Sequence, residues 1–375
     1  MLYFDYSATT PMSSYALQVY EKVATSFFAN SRSLHKQGEE SEDALSLSRQ
    51  TIAQAFGVSK DEIYFTGSGS EATFLGLIGL AFANKKKGRT IITTKGEHHS
   101  VHQALAFLKE HGFIISYVPV NEYGEVTVEA LESVLTKDTI LVTIAHANSE
   151  IGTVQDLASL GRVLATHGIL FHSDCVQTFG KLQVPTKWLT GASLSAHKCY
   201  GPKGVGAAYI HKDVSWQPFL NGTTHENGFR AGTVDVPGIA AFAAAVDEYL
   251  PLSNGDMSRL HELRRFFLES FTYDKRIFFE GHPTNRLPFH IALRIKGIEG
   301  QLMMLECSRK GMAISTGSAC RVGESHPPTT LIAIGRTPEE AHELIRITFG
   351  RYTTLDDVTT LIHTIKQLVS KYKGD

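Results

Sequence analysis

A lysine at the end of an apolar run, met at once by a Gly/Pro loop, is the first place where this sequence could do chemistry. In Ser195-Ala-His-Lys-Cys-Tyr-Gly-Pro-Lys-Gly204, Lys198 has Ala196, Cys199 and Tyr200 for neighbours. A partly desolvated lysine has a lowered pKa and can form a Schiff base, although the same spacing also suits a loop-edge ammonium in water. Asp174, in Ile169-Leu-Phe-His-Ser-Asp-Cys-Val-Gln177, closes a predicted buried strand at the edge where open α/β sheets bind ligands. A carboxylate there can pair with a pyridinium nitrogen and make the ring an electron sink; it could equally cap a helix. Phe65-Thr-Gly-Ser-Gly-Ser-Glu-Ala72 follows a strand and opens a helix, so its small residues leave free N–H groups for a phosphate. No Gly-Lys-Ser/Thr follows, which excludes a nucleoside-triphosphate loop, and such a turn can also be a plain helix cap.

Three further positions carry reactive groups. His98 and His102 in Glu97-His-His-Ser-Val-His102 stand one helical turn apart, the spacing of a two-histidine metal site. No third ligand accompanies them, so no metal is expected; His98 is better suited to stack on a cofactor ring and shuttle protons. Cys320 lies among small residues in Ser315-Thr-Gly-Ser-Ala-Cys320, ahead of a polar Gly/Pro-bearing segment where reactive thiols belong. Cys175, Cys199 and Cys307 read instead as packing residues. Arg346, inside the apolar run Leu344-Ile-Arg-Ile-Thr-Phe-Gly350, needs an anion if buried, either a substrate carboxylate or a structural partner.

The elements that must position these groups alternate between strand and helix periodicity. Strands are predicted at 62–65, 90–93, 113–117, 139–144 and 169–172, with helices near 14–28, 38–56, 70–84, 99–111, 127–136 and 156–167. That order implies an α/β fold with a mostly parallel sheet covered on both faces. The runs 191–196 and 204–210, joined by a short loop, hint at one antiparallel member. Helices near 237–250 and 256–271 flank Pro251-Leu-Ser-Asn-Gly-Asp256, read as a boundary before a smaller α+β unit. Its elements are strands at 290–296, 312–316 and 344–349, a helix at 299–310, a capping box opening a helix at Thr337-Pro-Glu-Glu340, and a last helix from Thr354.

Length and composition set the outer limits. The chain has 375 residues and a formal net charge of −2, which argues against long-range attraction to nucleic acid or anionic membrane. No apolar run reaches the ~20 residues of a transmembrane helix. The start, MLYFDYSATTP, has no signal- or transit-peptide pattern, so a reduced, cytoplasmic location is the expectation. Four cysteines in such a length are too few for a disulfide framework.

Taken together, a phosphate cup, a Schiff-base lysine, a ring-nitrogen aspartate and a carboxylate-binding arginine suggest a pyridoxal-phosphate enzyme for an amino acid. The sequence strongly resembles the cysteine desulfurases, class V of the aminotransferase-like fold. The resemblance rests on Asp5-Tyr-Ser-Ala-Thr-Thr-Pro11, His146-Ala-Asn-Ser-Glu-Ile-Gly152, Asp174-Cys-Val-Gln177, His197-Lys-Cys-Tyr-Gly-Pro-Lys-Gly204, Arg230-Ala-Gly-Thr233, Ser318-Ala-Cys320 and Arg346-Ile-Thr-Phe-Gly-Arg351. The segment after Cys320 is similar to that of the subgroup with the longer catalytic-cysteine loop.

The resemblance implies pyridoxal-phosphate fold type I. A large cofactor-binding domain would span 12–252, and a small one would comprise 1–11 and 253–375. It implies pyridoxal 5'-phosphate bound through Lys198, with Asp174 at the ring nitrogen, His98 against the ring and Gln177 at its phenolic oxygen. Gly69, Ser70, Ser195 and His197 would hold the phosphate, with Thr233 entering from the second subunit of a homodimer. Asn30 and Arg346 would grip the carboxylate of L-cysteine, and Cys320 would take its sulfur as a persulfide for an acceptor protein. Iron–sulfur cluster assembly, tRNA thiolation and cofactor biosynthesis are the destinations this implies. Ser149 stands where the family usually has a ring-contacting asparagine, leaving that contact to Asn148 or Ser149. Ser31, Phe74 and Thr223-Thr-His225 are further departures. A selenocysteine lyase or class-V aminotransferase is the alternative enzyme reading. A sulfur-carrier scaffold, active only with its acceptor bound, is the alternative of another class.

Overall fold

Short runs of β-branched and aromatic residues are buried on both sides in this chain, and each is tied to the next by a helix that covers it. The computed structural model describes residues 1–317 and 327–372, with backbone alone at 251, 253 and 254. In chain order the first part comprises β1 (Leu2–Tyr3), α1 (Ser14–Ser26), α2 (Lys36–Phe56), β2 (Ile63–Thr66), α3 (Gly69–Asn84), β3 (Thr90–Thr93), α4 (His99–Glu110) and β4 (Ile114–Tyr117). It continues through α5 (Val128–Val134), β5 (Thr139–Thr143), α6 (Leu157–Thr166), β6 (Leu170–Asp174), β7 (Gly191–Ser195) and β8 (Gly206–Ile210).

Seven of these strands form one sheet in the order β2-β8-β7-β6-β5-β3-β4. The antiparallel member anticipated from the 191–210 pattern is β8, which runs against both β2 and β7; the others are mutually parallel. Apolar clusters lie on both faces. One includes Ile52, Phe56, Phe171, Phe179 and Phe242, the other Leu77, Leu80, Val101, Leu108 and Leu141. The edge strand β4 is more open, with Ile114 and Tyr117 exposed. Parallel strands put their C-terminal ends along one rim, so the turns after β2, β3, β5, β6 and β7 converge there.

The second part begins with α7 (Val236–Glu269), then β9 (Ile277–Glu280), β10 (His290–Ile295), α8 (Gly300–Arg309), β11 (Met312–Ala313) and β12 (Ser315–Thr316). It ends with α9 (Thr329–Ala333), α10 (Pro338–His342), β13 (Leu344–Thr348) and α11 (Leu355–Lys371). The order β12-β13-β10-β9 makes an antiparallel sheet whose apolar face packs Leu293, Ile345 and Ile347 with Leu361, Ile365 and Phe267. The N-terminal segment belongs to this cluster: Phe4 is buried in it, β1 pairs with β11, and the Thr348 amide donates to the Phe4 carbonyl at 2.8 Å.

The expected break at 251–256 is absent. Residues 236–269 form one continuous helix, although Pro251 lacks the N–H that would close one of its turns. Its N-terminal half is held in one apolar cluster by Ile239, Phe242 and Val246, its C-terminal half in the other by Leu260, Leu263 and Phe267. Anchorage at both ends outweighs one missing bond. The predicted strand at 312–316 is likewise divided, because β11 pairs with β1 while β12 pairs with β13. The short elements β1, β9 and α9 had no recognisable pattern in the sequence.

Candidate active site

The turns at the rim enclose a cavity of about 220 Å³. Gly69 and Ser70 reach it from the start of α3, His98 from the cap of α4, and Asn148 and Ser149 from the turn after β5. Asp174 and Gln177 arrive from the end of β6, and Ser195, His197 and Lys198 from the end of β7. A second cavity of about 240 Å³ shares His98, Gln177, Ser149 and Lys198 with the first and adds Arg346, Glu97 and Thr329.

Local geometry explains how each group is held. At the phosphate cup, Ser68 caps α3 by accepting from the Glu71 amide, which leaves Gly69 and Ser70 as the first residues of the helix. The cup admits no side chains: a Cβ on Gly69 would fall 2.8 Å from Val176 Cγ2, and one on Gly206 would fall 2.4 Å from the Ser68 carbonyl carbon. Ser195 Oγ and Gln177 Oε1 are buried without a hydrogen-bond partner, an arrangement that costs about 1–3 kcal/mol per group unless a ligand satisfies it.

Asp174 is 8% exposed and accepts one hydrogen bond, from the Val176 amide at 2.9 Å. Burial raises its pKa, and the nearby charges of His98 and Lys198 pull it back down. A cationic ring N–H is the kind of partner that offsets such burial. His98 caps α4, its Nδ1 accepting from the Ser100 amide at 3.2 Å. Lys198 Nζ donates to the carbonyls of Ser7 and of Ala8, the latter at 2.9 Å, and Gln177 Nε2 donates to the same Ser7 carbonyl at 3.0 Å. His197 is kept neutral, its pKa pushed down to about 4 by burial and then by Lys198, Lys181 and Lys203.

Arg346 is 4% exposed; its Nη2 pairs with Asp5 Oδ1 at 2.8 Å and its Nη1 donates to the Ser149 carbonyl at 3.1 Å. The Asn148 amide ties its turn to the segment before α4 and to α9. It donates to Gly96 O and Thr330 Oγ1 and accepts from the amides of Glu150 and Ile151. Those four bonds fix the Asn148 side chain in the cavity wall beside Ser149.

Two expected residues lie elsewhere. Asn30 is exposed and its Oδ1 accepts from the Arg32 amide at 3.0 Å, so a local turn holds it outside both cavities of this chain. Thr233 is exposed and also outside them. Cys320 falls outside the described residues, on a segment whose flanking Gly317 and Pro328 line the second cavity. Phe74 packs with Phe107 and Phe219 at ring distances of 5.6 and 5.4 Å, so its replacement of a polar residue serves packing. Cys175, Cys199 and Cys307 are buried free thiols, and burial raises each pKa to between about 11 and about 12.

The sequence reading missed Ser7 and Ala8, which act through carbonyls that any residue carries. It also missed Glu97, a buried carboxyl on the cavity wall that accepts from Thr94 and Ala145 and whose pKa burial raises to about 8. The adjacency Glu97-His98 was the available signal.

Behind the cup, His172 is fully buried, with Nδ1 3.0 Å from Thr143 Oγ1 and Nε2 3.0 Å from Ser193 Oγ; Ser193 meets Thr73, which donates to the Gly69 carbonyl. Burial lowers the His172 pKa to about 3. Between that value and about 6.5 the unfolded chain binds a proton that the folded chain does not, so this residue's stabilising contribution is lost as pH falls. His172→Asn should lower the thermal midpoint at pH 8. The deficit relative to wild type should shrink by about 1.4 kcal/mol per pH unit below about 6.5. Melting curves of both proteins at about pH 8, 6.5 and 4.5 check this; a constant deficit refutes it.

The rim thus brings together a glycine cup, a buried aspartate and a strand-end lysine. A family model described as aminotransferase class-V matches residues 2–361. The chain belongs to the class-V aminotransferase family. Among its relatives, a NifS protein of Halalkalibacterium halodurans is 45% identical over the whole of both chains. The cysteine desulfurase IscS of Dictyoglomus turgidum is 38% identical over 99% of this chain and 95% of its own. The solved structure of a NifS-like protein superposes with a TM-score of 0.91 at 31% identity, covering 99% of each chain. This class-V chain therefore has the mostly parallel α/β architecture expected from its alternating strands and helices, and the fold type I that the resemblance implied.

Proposed function

We propose that this protein is a pyridoxal-phosphate-dependent cysteine desulfurase, converting L-cysteine to L-alanine and passing the sulfur to an acceptor protein. The observation that carries the reading is the convergence of Lys198, Asp174 and two partnerless polar atoms, Ser195 Oγ and Gln177 Oε1, around one cavity floored by the start of α3. Gly69, Ser70, Ser195 and His197 would hold the phosphate of the cofactor, Lys198 would anchor it, and Asp174 would hold a proton at its ring nitrogen. His98 and Gln177 would complete the contacts, with Thr233 supplied by a second copy in a homodimer. When bound, the cofactor supplies an electron sink for charge developing at the substrate's α-carbon.

The remaining steps belong to the chain's own groups. Arg346 receives the α-carboxylate. The Lys198 amine, held near the carbonyls of Ser7 and Ala8, removes the α-proton. His98 lines both cavities and is the candidate to take the proton of the Cys320 thiol and return it to the carbon that loses its sulfur. The thiolate attacks the substrate sulfur: an S–S bond forms at Cys320, the substrate's C–S bond breaks, and the carbon is protonated to give alanine. Residues 12–252 are the cofactor-binding domain, and 1–11 with 253–375 the smaller domain that brings Cys320 to it. The reading places the enzyme in the cytoplasm, with iron–sulfur cluster assembly, tRNA thiolation or cofactor synthesis as the route of the sulfur.

Mass spectrometry of the protein after cysteine treatment tests this directly. The expected result is one added sulfur on the peptide bearing Cys320, and its absence from Cys320→Ser, whose alanine production falls at least about 100-fold. Alanine formed at the wild-type rate by Cys320→Ser would sink the sulfur-transfer step.

A further inference from the structure

The guanidinium expected to receive the substrate already holds a carboxylate of this chain. Arg346 is buried, and of its five N–H donors one reaches Asp5 at 2.8 Å and one the Ser149 carbonyl at 3.1 Å, while Nε is buried with no partner. The partnerless Nε belongs to a side chain that lines the second cavity, together with Lys198, Gln177 and Thr329. Asp5 is not a mobile surface group. Its own segment is fixed on either side by the Thr348–Phe4 backbone bond and by the Ser7 amide donating to Thr348 Oγ1 at 2.9 Å. The same strap continues into the Ser7 and Ala8 carbonyls that accept from Lys198.

The geometry points to Asp5 as a resident competitor that shares Arg346 with the incoming substrate carboxylate and thereby weakens substrate binding. This rests on the proposed desulfurase reading, in which Arg346 takes that carboxylate. Two carboxylates on one guanidinium repel each other, and shelter from water strengthens the repulsion. Against it stands only the orienting effect of a single charge-assisted bond, which an uncharged acceptor at the same place largely preserves. Asp5 therefore neutralises a buried cation while no substrate is present and keeps the carboxylate subsite from holding acids too tightly. Small carboxylic acids without an amino group, which the cofactor cannot retain, are the ligands most excluded by this arrangement.

Calorimetric binding of 3-mercaptopropionate and of its amide to the cofactor-loaded enzyme provides the test. Asp5→Asn keeps an oxygen acceptor for Arg346 and removes the charge. It should bind the acid roughly tenfold more tightly than wild type, with amide affinity unchanged and KM for cysteine lowered in parallel. Asp5→Glu, which restores the charge, should return the acid affinity toward wild type. Acid affinity that is unchanged or weaker in Asp5→Asn, while Arg346→Lys abolishes acid binding, would overturn the competition and leave Asp5 as an orienting group. If Arg346→Lys binds the acid as wild type does, the assignment of the carboxylate subsite itself fails, and this inference with it. Melting curves of each variant separate these outcomes from misfolding.

Discussion

Lys198→Ala should lose both the covalent hold on its cofactor and nearly all turnover. The amine sits on the cavity wall at the end of β7, half-buried and bonded to two carbonyls of the N-terminal strap. Under the proposed function its removal would eliminate the anchor and the base for the α-proton together, and loss of a positioned base alone lowers rates about 10²–10⁴-fold. We expect alanine production from cysteine to fall at least about 10³-fold, with cofactor still entering the cavity through the phosphate cup. Borohydride reduction followed by denaturation should leave the cofactor fixed to wild type and release it from the variant. Cofactor that stays fixed in Lys198→Ala would move the anchor to another amine. Lys181 is then the first suspect, because burial lowers its pKa to about 8.

Asp174→Asn should be almost as damaging to turnover but in the opposite direction for stability. Its carboxyl is buried, accepts a single amide hydrogen bond, and has a raised pKa because burial disfavours its charge. In the cofactor-free protein that charge is a burden, so asparagine should leave the melting point unchanged or higher. Under the proposed function the carboxylate would keep a ring nitrogen of the bound cofactor protonated, so kcat should fall about 10²–10⁴-fold with a much smaller change in KM. A cofactor analogue methylated at the ring nitrogen carries the positive charge permanently and should restore much of the lost rate. Failure of that rescue, with normal analogue binding, would deny Asp174 the role of ring partner.

Much of this site could be read from the sequence because its chemistry depends on side chains with few substitutes. Lys198, Asp174, His98 and the Gly69–Ser70 turn each follow a strand-like run, and parallel strands bring such ends to one rim. Other contributions were not legible. The Ser7 and Ala8 carbonyls carry no residue-type signal, and the bonds that tie the Asn148 amide to Gly96 and Thr330 join segments far apart in the chain. Asn30 had the right chemistry for a carboxylate, yet its turn directs it away from both cavities of this chain. Continuity of α7 through Pro251 was hidden for a related reason: local propensity predicts a break, and only two separate apolar anchors overrule it.

By itself, then, the sequence determined the alternation of strands and helices, the parallel sheet with one reversed member, and the residue types needed for pyridoxal chemistry. Those follow from periodicity and side-chain chemistry, which act over a few neighbouring residues. Only the tertiary structure decided that Asp5 and Arg346, 341 positions apart, share one hydrogen bond, and that the N-terminal strap touches both Lys198 and the second sheet. Pairings of that length arise from the burial of Phe4 in a distant cluster, a contact that no local pattern encodes.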